Sequence, residues 1–137
     1  MSNYTFKDNT DEFLDEFEEA IERGLEAIGM RAERHAKKDP NMPVVTGYAR
    51  NSITYALSGK SASTSSYKAN KGGRTGEYSG TMDGKKGEFV VIGSNVEYFK
   101  YIEEGGGKRK AHHVLRRAAT EHTEEYKKLM ENSMKNA

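Results

Sequence analysis

Residues 11–38 read DEFLDEFEEAIERGLEAIGMRAERHAKK. Phe13, Phe17, Ile21, Leu25, Ile28 and Ala32 recur every three or four positions. At about 100° per residue they share an arc of roughly 120°, the width of a core-facing stripe, so the spacing predicts one amphipathic helix over 11–38. Thr10 or Asn9 is placed to cap its start. Asp11, Glu12, Asp15 and Glu16 lie on its first turns, while Arg31, Arg34, Lys37 and Lys38 collect at its end, so both ends complement the helix dipole. Asp39-Pro40 stops it, because proline lacks an amide hydrogen and disfavours helical geometry in the residue before it. Gly24, which costs about 1 kcal/mol relative to alanine inside a helix, marks a close packing contact.

Downstream of that helix the pattern changes. In 51–57, Ile53, Tyr55 and Leu57 alternate with Ser52, Thr54 and Ala56, which predicts a half-buried strand. EFVVIG at 88–93 is a short apolar run with β-branched residues and predicts a central strand covered on both faces. Between them lie residues 58–87, 30 positions of which 16 are Gly, Ser or Thr. Lys60, Lys68, Lys71, Arg74, Lys85 and Lys86 stand there against only Glu77 and Asp83. A connection of that length is functional or disordered in most compact domains, and it is expected to be an inserted basic loop or hairpin arm held by a neighbouring subunit. After a Gly105-Gly106-Gly107 break, Val114, Leu115, Ala118, Ala119, His122, Tyr126, Leu129 and Met130 predict a second helix over 111–134.

The expected architecture is therefore α+β in a single domain, 1–137. A long N-terminal helix leads into a small antiparallel sheet region over 43–101 that carries the arm 58–87. A C-terminal helix packs on the sheet.

Composition narrows the function. Lys and Arg number 22 against 21 Asp and Glu, a net charge of +1 that argues against wholesale nucleic-acid binding. The absence of cysteine removes disulfides, thiol nucleophiles and cysteine-ligated zinc, and fits a reducing, cytosolic origin. No apolar run approaches the roughly 20 residues needed to span a bilayer, and the N-terminus lacks the layout of a secretory signal. Hydrophobic residues make up 34% of the chain and mean hydropathy is −0.91, a small core for this length. Either part of the chain is unstructured, or neighbouring subunits complete the burial.

No reactive constellation emerges. Adjacent His112 and His113 would point about 100° apart on a helix, with no carboxylate to complete a metal set, so no metal ligand is assigned among the four histidines. Gly105-Gly106-Gly107-Lys108 lacks the earlier glycine and the following Ser/Thr of a phosphate loop and reads as a hinge. No catalytic residue and no cofactor is expected, and the chain reads as a non-enzyme.

Three stretches share a pattern: PVVTGYARNS at 43–52, GSNVEYFKYIEEG at 93–105 and KAHHVLRRA at 110–118. Together they resemble a family of small tailed-phage proteins described as tail components, tail-completion or head–tail joining (neck) proteins. Thr46, Gly47, Arg50 and Ser52 match the family's Thr-Gly step into its first strand. Val91, Gly93, Tyr98, Tyr101, Glu103 and Gly105 match a second step, and Ala111, Leu115 and Ala118 the start of its last helix. Ala49, Phe99 and His112-His113-Val114 depart from it.

The resemblance implies a structural virion protein, made in the host cytoplasm, that joins or completes the tail at the head–tail interface as a hexameric ring. Its implied partners are further copies of itself and other neck and tail proteins (connector, tail terminator or tube), with non-specific contact to packaged DNA and none to membrane. Thr46, Gly47, Arg50, Ser52, Tyr98, Tyr101, Glu103, Gly105 and Leu115 are the expected interface or fold-motif positions. By physical reading Gly47 supplies a turn, Tyr98 and Tyr101 share one side of a helical turn, and Glu103 bonds to Arg50 or Arg116 to pin the final helix. The alternative function is a DNA-binding module using the basic arm 58–87, whose six cations would neutralise phosphates without reading sequence.

Overall fold

A computed structural model describes residues 2–59, 65–78 and 83–136 of the chain. The elements run α1 (Ser2–Lys38), α2 (Tyr48–Asn51), β1 (Thr54–Leu57), β2 (Ser65–Lys68), β3 (Thr75–Tyr78), β4 (Val90–Gly93), α3 (Phe99–Glu104), α4 (Val114–Thr120) and α5 (Thr123–Lys135). This is the expected α+β architecture: a long N-terminal helix, small antiparallel sheets and helix at the C-terminal end. No helix among the described residues is long and apolar enough to cross a membrane.

α1 is the spine. It starts at Ser2 rather than at a cap at Asn9 or Thr10, since nothing in 2–10 breaks a helix and extending one costs far less than nucleating it. α5 runs antiparallel along it, with Ser133 Oγ donating to the Ala20 carbonyl at 2.6 Å and His35 lying beside His122. Two α1 glycines permit the close approaches. A Cβ on Gly24 would meet Met130 Sδ at 2.5 Å, and one on Gly29 would meet the Tyr55 ring at 2.7 Å and Val90 at 2.8 Å. The predicted stripe is covered only from Ala20 onward. Ala20, Ala32 and Ala36 are buried, whereas Phe13 is 63% exposed, Leu14 50% and Phe17 39%.

β1 and β4 pair antiparallel, Thr54 opposite Gly93 and Leu57 opposite Val90. The run at 88–93 is thus not a central strand. Its only strand neighbour among the described residues is β1, α1 covers one face, and Val91 is exposed. The strand predicted over 51–57 begins only at Thr54, because Gly47 enters the left-handed region (φ 83°) and launches the short helix α2 first.

The arm contains a hairpin, β2 paired with β3, with Ser65 opposite Tyr78 and Lys68 opposite Thr75. The single helix expected over 111–134 is two. His113 takes φ 48°, α4 starts at Val114, and the chain breaks at Glu121-His122. The break lets α4 pack on α1, α3 and β4 while α5 follows α1. The core lies where these elements meet, with Ala36, Ile53, Phe99, Val114 and Ala118 at most 3% exposed.

Candidate functional site

The first motif builds the seat of the hairpin. Gly47 turns the chain so that the Thr46 carbonyl accepts from the amides of Asn70 (2.6 Å) and Lys71 (3.1 Å). Asn51 Nδ2 donates to the Lys68 carbonyl at 2.7 Å and to Asn70 Oδ1 at 3.0 Å, and Arg50 Nε donates to Asn51 Oδ1 at 3.3 Å. Ser52 is buried; its hydroxyl donates to the Ala49 carbonyl (2.6 Å) and lies 2.6 Å from Ser94 Oγ, joining α2 to the end of β4.

The hairpin's inner side completes the joint. Tyr67 tilts against Tyr48 with ring centroids 5.2 Å apart, and its hydroxyl donates to Asn95 Oδ1 at 2.6 Å, while Asn95 Nδ2 donates to the Glu77 carbonyl. Burial and the neighbouring Tyr48 hydroxyl push the Tyr67 phenol up to about 12. At the arm's base, Ser58 Oγ donates to the Lys85 carbonyl at 2.8 Å and accepts from Glu88 N (3.2 Å) and Phe89 N (3.0 Å). The described parts of the arm are therefore anchored to its own chain at both the hairpin and the base. The sequence signal missed was the pair of asparagines at 51 and 95, whose side-chain amides donate to the Lys68 and Glu77 carbonyls of a hairpin too narrow to satisfy all of its own backbone groups, with Asn70 Oδ1 holding Asn51 in place.

The second motif forms α3 and its exit. Tyr98 and Tyr101 are 38% and 42% exposed, whereas Phe99 between them is buried. Glu103 is buried and caps α4: Oε1 accepts from Leu115 N at 2.8 Å and Oε2 from Arg116 N at 3.0 Å. The expected pinning of the final helix is thus made through backbone amides, not through the side chains of Arg50 or Arg116. Arg116 instead reaches Glu104 at 3.5 Å. Gly105 has φ 75°, and a Cβ there would lie 2.8 Å from the Arg109 carbonyl oxygen, so the turn that returns the chain to α4 requires glycine. Of the stripe's first two members, Val114 is fully buried and Leu115 half-buried.

The arm's cations divide. Lys60 lies outside the described residues. Lys68, Lys71 and Lys85 are exposed, Arg74 lies 4.1 Å above the Tyr48 ring, and Lys86 Nζ pairs with Glu22 at 3.6 Å. Two of them are therefore engaged within the chain.

Tertiary structure also brings carboxylates to histidines, where the sequence offered none. Glu103 and Glu104 lie near His113, and Glu125 lies near His35 and His122. His35 and His122 stack with centroids 3.5 Å apart and planes 1° from parallel, and His35 Nε2 sits 3.0 Å from Glu125 Oε1. Parallel rings present their nitrogens side by side rather than toward one point, so this cluster is a stacked pair braced by a carboxylate. The hydrogen bond with His35 outweighs burial and lowers the Glu125 carboxyl. Nearby, Arg117 Nε donates to Asp39 Oδ2 at 2.9 Å, tying α4 to the end of α1.

What results is a scaffold: two motif corners that lock a basic hairpin and a capped helix onto a long spine, with tyrosines and an apolar helix end left on the surface. Residues 5–105 match the model of the family described as "Bacteriophage HK97-gp10, putative tail-component". No curated protein and no solved structure matches the chain. The chain belongs to the HK97-gp10-like family of phage tail components.

Proposed function

We propose that this tail component works at the junction of tail and head, as one subunit of a closed ring that completes the tail. The observation that carries the reading is the uncovered end of α1. Phe13, Leu14 and Phe17 are exposed on a helix whose later turns are packed, so the described residues leave apolar surface that another molecule would bury. Exposed Tyr98 and Tyr101 suit the same purpose, being large apolar rings with polar tips. A heterologous contact that closes on itself makes a ring.

The reading is tested in particles. Mass spectrometry of purified virions is expected to find the protein at a fixed copy number, and phage lacking it are expected to accumulate separate heads and tails. Its absence from virions, or normal joining without it, would end the proposal.

A further inference from the structure

We propose that the uncovered end of α1 in one copy docks on the Tyr98–Lys110 surface of a second copy, making a head-to-tail contact; this rests on the ring reading above. Residues 12–19 carry Glu12, Asp15, Glu16, Glu18 and Glu19 without a single cation, around the exposed Phe13, Leu14 and Phe17. Glu12–Glu16 and Asp15–Glu19 are like-charge pairs at i,i+4 spacing, which weaken this stretch of α1 until an opposite charge meets it. Its partner must be apolar and basic.

The surface around α3 has that character. Lys100 Nζ lies 5.1 Å and the Arg109 guanidinium carbon 6.0 Å from the centre of the exposed Tyr101 ring, with Lys108 and Lys110 exposed alongside. Its acidic residues are fewer: Glu103 is buried on the α4 amides, and the exposed Glu104 pairs with Arg116, leaving Glu97 beside Tyr98. The hairpin is a weaker partner because its aromatic Tyr67 is turned inward against Tyr48. The two halves cannot meet within one chain. Ala36 shares a buried cluster with Phe99, and Phe17 lies 19 residues back along a continuous helix, about 29 Å at 1.5 Å per residue. A contact between opposite ends of a subunit is heterologous and propagates until it closes.

The chain has no cysteine, so engineered thiols report the contact directly. Full-length Phe17→Cys and Tyr101→Cys variants, each altered at an exposed position and checked by circular dichroism, are oxidised alone and mixed. The mixture is expected to give covalent heterodimers well above a mixture of Phe17→Cys with Lys135→Cys, while each variant alone gives little. The doubly substituted chain is expected to give a ladder of linked oligomers on a non-reducing gel. Heterodimers no more abundant than the control, or Phe17→Cys linking to itself as efficiently as to Tyr101→Cys, would overturn the contact. A ring that assembles without this cross-link leaves the ring reading standing and removes only the docking mode. A cross-link in a protein absent from virions does the reverse.

Discussion

Asp39 and Tyr67 each couple a joint of this molecule to pH, in opposite directions. Burial raises the Asp39 carboxyl, but the Arg117 guanidinium and the Asn41 amide outweigh it and hold it below its ordinary value. A depressed carboxyl adds stability that is present above the unfolded pKa, near 4, and is lost as pH falls through the folded one. Melting temperatures measured from neutral pH down to about 3 should therefore fall more steeply for the wild type than for Asp39→Asn. Tyr67 is raised, to about 12, so its contribution is complete below pH 10 and is lost as pH climbs through the folded value. Difference absorbance between wild type and Tyr67→Phe should show one phenolate forming near pH 12 instead of 10. A difference curve centred at 10 would mean that the hairpin is not held against Tyr48.

At the scale of elements, α4 depends on a residue outside it. Glu103 supplies both acceptors for the first α4 amides, and no side chain of the preceding residue caps them. Glu103→Ala should cost about 1–3 kcal/mol in urea unfolding, and Glu103→Gln less because it keeps an acceptor oxygen. Equal stabilities would show that water serves these amides as well as the carboxylate does. The hairpin is different in kind. Its strands are short, and it is anchored through Thr46, Asn51 and Asn95 rather than through a large apolar face.

For the whole molecule, charge is arranged rather than excessive. An acidic helix end and scattered basic groups sum to +1, and two of the arm's cations serve Tyr48 and Glu22. Gel-shift titration of the protein alone is expected to show negligible binding to duplex DNA at physiological salt, with retardation only at low ionic strength. Tight binding with a steep salt slope would favour the arm as a DNA-binding element instead.

Much of this architecture was legible in the linear order of residues. The α1 stripe, the Asp39-Pro40 stop, the turn at Gly47 and the two motif steps are local, because periodicity, proline sterics and glycine's freedom act over a few positions. The break at Glu121-His122 left no such mark, since no glycine or proline announces it; it arises because α4 and α5 have different surfaces to cover. The Glu103 cap, the His35–His122 stack and the Asp39–Arg117 bridge join residues 12 to 87 positions apart. Sequence by itself determined the long first helix, the extended runs that became β1 and β4, and the faces that would seek cover; α2, α3 and the split of the last helix came only with the fold. Tertiary structure alone decided which of those faces found it, because burial depends on what the folded chain brings together, and the described residues leave Phe13, Leu14 and Phe17 exposed.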